Sequence, residues 1–396
     1  MIDLRAARSD PDRFRAALAR KGAAERFDVL LAADERWRAL LPRVEELRTK
    51  RKLDGKPTPE QLLELNKVKE ELQAAEAGLA AAEAERDELL IKVPNPPDPS
   101  APDGNTDDDA EEIRRVGNPG PEGPEHTEVG RFEMERAARL SGSRFGYIAG
   151  DSALVAMALY RLAIETAARH GHTPLIPPVL VREQAMYGTG FFPTERSNIY
   201  TLEEDELYLT GTSEVALAGF HMDEILDELP LRYSAFSTCF RRESGAAGKD
   251  TRGMFRVHQF NKVELYVFCE PERSVEEHDR LLAIEEELVQ SLDLPYRVVN
   301  VAAGDLGDPA SKKYDIEAWF PHQQRYREIT STSNTTDFQA RRLGIRYRAG
   351  DKRNETPHTL NGTAVTDRWL LAILENFGGE VPEALQALGA PSTVSK

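Results

Sequence analysis

The sequence predicts an α+β protein in which an antiparallel helical coiled-coil hairpin precedes an antiparallel β-sheet flanked by helices. Three observations carry that reading. Between Leu65 and Val93 apolar residues recur at alternating spacings of three and four, the mark of a helical seam. From Leu207 onwards short strand-like runs recur between turn residues. No Gly-x-x-x-x-Gly-Lys phosphate loop and no dinucleotide fingerprint is present, so a nucleotide site here is not of the parallel-sheet kind.

The hairpin runs from about Phe27 to Val93. Its second arm carries the seam Leu65, Val68, Leu72, Ala75, Leu79, Ala82, Arg86, Leu89 and Val93, with Arg86 as its one charged member. The first arm offers Leu30, Trp37, Leu41 and Val44 as the facing stripe, and Gly55, Pro57 and Pro59 turn the chain between them. At 1.5 Å per residue each arm is on the order of 40–50 Å long, so the hairpin is expected to project. The prolines from Pro94 onwards stop the second arm. An acidic, proline-rich linker is expected over 98–130, which divides the chain into an N-terminal helical domain (1–97) and a second domain (131–396). In the second domain a helix is expected near Ala153–His170. Strands are expected at Leu207–Leu209, Leu231–Arg241, Val257–Phe268, Tyr296–Val301, Tyr314–Trp319 and Tyr326–Ser333, and helices at Ser274–Leu292 and Thr366–Phe377.

With 396 residues the chain is long enough for two or three domains. Its two cysteines, Cys239 and Cys269, cannot build a disulfide framework, and no Cys/His cluster has zinc-ligand spacing, so no zinc is expected. The charged start Met1-Ile-Asp-Leu-Arg lacks the apolar core of a signal peptide, and no run approaches membrane-spanning length; a cytoplasmic location and no membrane partner are expected. A net charge of −17 argues against indiscriminate coating of nucleic acid, not against a selective partner met through local basic patches. One patch is Arg43, Arg48, Lys50, Arg51, Lys52 and Lys56 near the hairpin tip. Another is Arg341, Arg342, Arg346, Arg348, Lys352 and Arg353. Either can equally be a solvated surface.

Chemistry concentrates between Cys239 and Glu264. Alternation places Arg241 and Glu243 on one face of a first strand, and Arg256, Phe260 and Glu264 on one face of a second. Val257, Val263, Leu265 and Val267 point the other way. The joining loop, Ser244–Met254, holds three glycines with Lys249 and Arg252. Charges gathered on one face of a valine-backed sheet are costly unless they meet a charged ligand. Guanidinium forks fit the oxygens of a polyphosphate. The bland alternative is a solvated face with salt-bridged hairpins.

These residues sit among others that together resemble the bacterial-type seryl-tRNA synthetases, a class II aminoacyl-tRNA synthetase family. The likeness runs nearly end to end: Met1-Ile-Asp-Leu, the coiled hairpin, Ser141-Gly-Ser-Arg-Phe, Pro177-Pro178, Met186-Tyr-Gly-Thr-Gly, Thr212-Ser-Glu-Val, Phe240-Arg-Arg-Glu, Asp337-Phe-Gln-Ala-Arg-Arg and His358-Thr-Leu-Asn-Gly-Thr. The resemblance implies a class II catalytic domain that makes seryl-adenylate from serine and ATP, then charges serine tRNA and, by family, selenocysteine tRNA. It implies a homodimer joined around His172–Leu180, and a hairpin that lies along the long variable arm of the tRNA, with the tip cations on its phosphates. For ATP it implies Arg241, Arg242, Glu243, Val257 and Phe260, the segment Glu328, Ile329, Thr330 and Ser331, and Arg368. Arg241 and Arg368 are the catalytic cations in that scheme, and Glu328 and Ser331 hold magnesium. For serine it implies Thr212, Ser213, Glu214, Arg241, Glu264 and Thr363. Glu328 and Ser331 are out of phase for an ideal strand, so a bulge or a strand end is expected between them.

The chain departs from the family pattern in places. The tip Arg48–Leu72 is shorter by about one heptad split over two arms, Thr330 stands where a first serine is common, and Thr335 stands where a cysteine is usual. Two rivals share the catalytic domain. An amino acid:carrier-protein ligase normally lacks the hairpin, and its zinc-dependent relatives need a cysteine ligand that Thr212 and Glu264 do not supply. A catalytically silent RNA-binding relative is opposed by Arg241, Glu243, Glu264, Glu328 and Arg368 all being present.

Overall fold

The computed structural model describes residues 1–52, 58–244, 253–350 and 353–396. The chain divides into two compact units, Met1–Pro96 and Pro97–Lys396.

The first unit is helical. Asp3 and Asp10 start two short helices, Leu4–Ser9 and Pro11–Ala19, by accepting backbone N–H groups with their carboxylates. Two long helices follow, α1 (Ala24–Lys50) and α2 (Pro59–Leu90). Thr58 opens α2 with a capping box shared with Gln61, and Pro59 takes the first helical position, where its missing N–H has no intrahelical partner to lose. Along α2 the residues Leu65, Val68, Leu72, Ala75, Leu79, Ala82, Arg86 and Leu89 are buried or half-buried, while most of those between them are exposed. They meet Leu30, Trp37, Leu41 and Val44, and the stripe extends one step further than expected, to the fully buried Leu47. Arg86 is accommodated in the seam because its guanidinium lies 4.0 Å over the Trp37 ring and bonds Asp87 at its edge. Ion pairs flank the seam: Arg36–Glu85 at 2.6 Å, Arg43–Glu71 at 2.7 Å and Arg48–Glu76 at 2.8 Å.

The second unit is built on an eight-stranded sheet: β1 (Glu111–Val116), β2 (Thr173–Leu175), β3 (Leu231–Phe240), β4 (Gln259–Cys269), β5 (Tyr296–Asn300), β6 (Lys312–Phe320), β7 (Arg325–Thr336) and β8 (His358–Thr366). Their order is β1-β5-β6-β7-β8-β4-β3-β2, antiparallel throughout except where β2 pairs parallel to β3. Three helices, α3 (Asp151–Arg169), α4 (Ser274–Ser291) and α5 (Asp367–Phe377), cover one face. Val263, Leu265 and Val267 of β4, Ile316 and Phe320 of β6 and Leu360 of β8 pack there against Leu159, Ile284, Leu288, Trp369 and Ile373. The opposite parity of β4 places Tyr266 and Phe268 on the other face, where they join Leu217, Leu343, Ile345 and Tyr347. That second cluster closes one end of the face and leaves the rest of it to the residues described below.

One expectation is corrected and one strand is added. The segment 98–130 is not a linker but a part of the second unit. Its strand β1 completes the edge of the sheet against β5, Asp98 N–H donates to the Ser311 carbonyl at 2.8 Å, and Ala303 N–H donates to that of Pro102 at 2.8 Å. An uncovered β5 would present a row of unpaired backbone groups, and β1 covers it with an exposed, charged strand of the kind that discourages further pairing. The composition that suggested a linker is thus that of an edge. Strand β8 was not among the strands expected from the sequence. In the sheet Gly362 serves close approach: a Cβ there would lie 2.7 Å from Glu285 Oε1.

Leu72 is 4% exposed and Leu63, on the same helix, 68%. Leu72→Ala should therefore lower the stability of the helical unit by about 2–4 kcal/mol, and Leu63→Ala should stay within about 0.5 kcal/mol. Urea unfolding of the full chain followed by far-ultraviolet circular dichroism measures both, and equal midpoints would contradict the seam.

Candidate active site

On the uncovered part of the sheet lies a cleft of about 670 Å³, floored by β4, β6, β7 and β8. Three irregularities in strand pairing shape its floor. In β7, Glu328 pairs with Glu317 and Thr330 with Ile316, which leaves Ile329 as an extra residue. Ser331 pairs with Asp315, so the bulge turns Glu328 and Ser331, three apart, to the same face as Glu317 and Asp315. That is the bulge expected if Glu328 and Ser331 are to share a face, as the resemblance implied. A second falls at Thr335, and a third at Ala364, between the pairs Thr363–Glu264 and Val365–Val263. The third lets Thr363 face the cleft while Val365 enters the core.

At one end of the cleft stand two carboxylates. Glu214 is bonded at Oε1 by Gln339 Nε2 (2.7 Å) and Asn361 Nδ2 (3.0 Å), and the Gln339 amide is oriented in turn by the Tyr266 hydroxyl at 2.7 Å. Burial raises the pKa of Glu214, and the Gln339 hydrogen bond with the charges of Lys262 and Arg241 offsets only part of that rise. Glu264 is 1% exposed and forms an ion pair with Lys262; the Thr363 hydroxyl lies 3.4 Å from its Oε2. Burial pushes Glu264 up to about 7; Lys262 and Arg241 draw it down, and the like charge of Glu214 pushes it up. Thr212 lines this end, its hydroxyl accepting the Glu214 N–H at 3.2 Å.

Cations and an aromatic ring occupy the middle. The Arg241 guanidinium lies 5.3 Å over Phe260, and its Nε donates to the Gly211 carbonyl at 3.1 Å. Alternation did not bring it there: β3 ends at Phe240, and Glu243 takes a left-handed φ of 51°. Glu243 is paired instead with Arg256 at 2.5 Å, and Arg256 lies ahead of β4, not on it. Val257 is buried against the core at the cleft wall. At the far end, Thr366 caps α5 and so sets Arg368 on its first turn. Arg368 Nη1 donates to the Glu328 carbonyl at 3.1 Å, and its guanidinium stacks 4.7 Å over Phe255. Burial works against the charge of Glu328, but Lys313, Arg368, Arg241 and Lys262 outweigh it and hold its pKa below the ordinary range. Its side chain is 45% exposed, so it remains open to a ligand.

Of the residues singled out in the sequence, Thr212, Glu214, Arg241, Glu243, Val257, Phe260, Glu264, Glu328, Ser331, Thr363 and Arg368 meet in this cleft. Ile329 and Thr330 also line it, but the Ile329 side chain belongs to the core and the Thr330 hydroxyl donates to the Thr363 carbonyl, so they can serve a ligand through backbone atoms. Ser213 and Arg242 do not line it. Ser213 is buried, and Arg242 stacks 5.4 Å over Tyr200. Arg256, read in the sequence as part of the charged face, lines the cleft as well, whereas Lys262, Asn361 and Gln339 were not singled out for the site. Lys262 shares the parity of Phe260 and Glu264, so alternation along β4 already held that signal; Gln339 carried none. In the helical unit Arg43, Arg48 and Lys50 are engaged by Glu71, Glu76 and Glu46, whereas Arg51 and Lys52 are exposed. Lys56, Lys352 and most of the glycine loop lie outside the described residues.

Residues 1–97 match the seryl-tRNA synthetase N-terminal domain, and residues 198–377 the class II tRNA synthetase core domain (G, H, P, S and T). The chain is 49% identical to a serine–tRNA ligase of Thermobifida fusca over 98% of its own length and 97% of the relative's. It is 47% identical to that of Mycolicibacterium smegmatis, over 95% and 94%. Among solved structures it is similar to a seryl-tRNA synthetase of Pyrococcus horikoshii complexed with ATP, with a TM-score of 0.94, 36% identity and 100% of both chains covered. It is also similar to a cytoplasmic serine–tRNA ligase of Naegleria fowleri in complex with AMP, with a TM-score of 0.89, 32% identity and 98% and 96% covered.

Behind the cleft, on α4, Glu285 is fully buried, and neither carboxyl oxygen has a hydrogen-bond partner among the described residues. Burial, with Glu264, Asp315 and Glu286 nearby, raises its pKa well above the ordinary value. A raised acid contributes stability below its unfolded pKa that is lost as pH climbs towards the folded value, at most about 1.4 kcal/mol per pH unit. Glu285→Gln should therefore flatten the fall in melting temperature between weakly acidic and weakly alkaline buffer. Parallel profiles for the two proteins would show that the group does not titrate in that window.

Proposed function

Because the chain belongs to the serine–tRNA ligase family, we propose that its cleft activates L-serine with ATP and passes the seryl group to the 3′ end of a serine tRNA. One observation carries the reading: two buried carboxylates, Glu214 and Glu264, share a sheet face with the guanidinium groups of Arg241 and Arg368. The carboxylates suit the ammonium and hydroxyl of a small amino acid, and the guanidiniums suit phosphates. Arg241 lies between the two ends, where it can bridge the serine carboxylate and the α-phosphate. Phe260 offers a face to adenine, Glu243 an acceptor to its amino group, and Arg368 its charge to the outer phosphates. Glu328 and Ser331 offer hard oxygen donors turned to one face by the bulge, which fits a magnesium ion that completes its shell with phosphate and water. When bound, that ion supplies neutralising charge to the phosphates.

The serine carboxylate attacks the α-phosphorus; the bond to the bridging oxygen breaks, and seryl-adenylate and pyrophosphate form. The terminal ribose hydroxyl of the tRNA then attacks the mixed anhydride and releases AMP. The protein contributes alignment and charge stabilisation and no covalent bond. A site that bonds a hydroxyl rejects alanine strongly, because a buried acceptor would be left unpaired. Threonine has to be excluded by the fit of its extra methyl.

In this reading the helical hairpin meets the long variable arm of serine tRNA, and of selenocysteine tRNA in the same way. Arg43, Arg48 and Lys50 already have carboxylate partners, so phosphates must displace those ion pairs or be met by Arg51 and Lys52. Recognition then rests on backbone and shape, and weakens with salt. The enzyme works in the cytoplasm as a homodimer. The edge strand β2 supports the dimer: beside it Ile176 is 90% exposed, and Met157 and Leu154 of α3 are 64% and 53% exposed. No helix among the described residues is long and apolar enough to cross a membrane.

Arg241→Ala is expected to lower serine-dependent ATP–pyrophosphate exchange by about a hundredfold or more, as loss of a charge-stabilising donor does; exchange close to the parent's would refute its role. Removing Arg43–Leu65 should leave exchange intact and impair charging of serine tRNA. Unchanged charging would separate the hairpin from the reaction.

A further inference from the structure

Lys262 is a deeply buried cation in this cleft that the reading above leaves without a task. It is 5% exposed, projects from β4 between Phe260 and Glu264, and ends on Glu264. Its ammonium also lies 3.4 Å from the Thr363 hydroxyl, which itself reaches Glu264 Oε2 at 3.4 Å. A lysine this deeply buried is costly unless it is paired, and here its charge falls on one of the two carboxylates proposed for serine. The neighbouring Glu214 is treated differently, since neutral amides hold it.

We propose that Lys262 is a positioning residue for serine: with Thr363 it holds Oε2 of Glu264, fixing that carboxylate with Oε1 left for the substrate hydroxyl. The inference rests on the cleft being a serine site. Charge balance follows from it. Two carboxylates in one buried pocket would force a proton onto one of them. With Lys262 in place one carboxylate is already matched, and the remaining negative charge, on Glu214, meets the single ammonium of the amino acid. Glu264 is faced by Lys262 on its own strand, Glu214 from the helix Glu214–Ala218, Arg241 from the chain beyond β3, and Glu285 from α4 behind the sheet. The uncharged Cys239 and Tyr266 stand nearby. Lys262 and Arg241 favour the charged form of Glu264; the carboxylates disfavour it. Loss of Lys262 therefore moves the protonation of Glu264 to higher pH, so that serine binding weakens at neutral pH and recovers in alkali.

The test is serine-dependent ATP–pyrophosphate exchange by the full-length enzyme across pH, with Lys262→Met, Lys262→Gln and Lys262→Arg beside the parent. Both neutral variants are expected to raise KM for serine about tenfold at neutral pH, with the acid limb of kcat/KM shifted upward by about one pH unit. KM for ATP should stay near the parent's, and Lys262→Arg should restore the limb. An acid limb in a neutral variant that overlays the parent's overturns the proposal. So does a loss that is equal at every pH and shared by Lys262→Arg, the mark of a merely structural lysine. Should Lys262→Met fail to fold, the Gln variant carries the same readout; should both fail, Glu264→Gln must show no acid limb in that range, and retention of the parent's limb overturns the proposal. A parent enzyme without serine-dependent exchange would instead sink the functional reading itself.

Discussion

An acid set on a β-sheet away from water must be given either a partner or a proton, and the layout of this protein's second unit follows from how that demand is met. Glu264 is given Lys262, Glu214 two amides, and Asp315 the Lys313 ammonium at 2.9 Å. Glu285 has no hydrogen-bond partner among the described residues, and its burial favours the neutral acid. A sheet floor that carried these groups without such matching would repel itself and take up water. The same arrangement leaves a cleft that is electrically incomplete at both ends, short of a cation beside Glu214 and of anions beside Arg241 and Arg368. An amino acid lying beside a polyphosphate supplies both.

The sheet achieves this with ordinary strands and three local faults in pairing. At Ile329 and at Ala364 an extra residue changes which side chains face the cleft, so that Glu328 and Ser331 share a face and Thr363 stands beside Glu264. The far side of the same strands is a continuous apolar layer under α3, α4 and α5. Rigidity on that side allows polar precision on the other. Strand β1 protects the edge that this architecture would otherwise leave open.

The helical unit obeys a simpler rule. A narrow apolar stripe joins the two arms, and the one charged residue in it is tolerated because Trp37 offers its face to the Arg86 guanidinium. Much of the basic character near the tip goes into ion pairs along the seam. The hairpin is consequently a surface of defined shape more than one of net positive charge, which accords with an overall charge of −17.

Periodicity belongs to a single segment, and so the residues alone were enough to identify the seam from Leu65 to Leu89 and the two faces of β4, while the phase slip between Glu328 and Ser331 came from the family resemblance that gives both residues one role. The class of fold and most of the cleft's charged groups were legible in the same way, with the family resemblance adding their roles. Register and opposition belong to pairs of distant segments, and those emerged in the folded chain. Asn361-Gly362 lies in the middle of a central strand that the sequence did not announce, with Glu285 close behind the glycine. An acidic stretch read as a linker became an edge strand because β5 lacked a neighbour. Arg242 turned to Tyr200 while Arg241 entered the cleft, and Gln339 came to orient Glu214 from 125 residues away. No one-dimensional pattern encodes such meetings, since each depends on which strands lie side by side and at what offset.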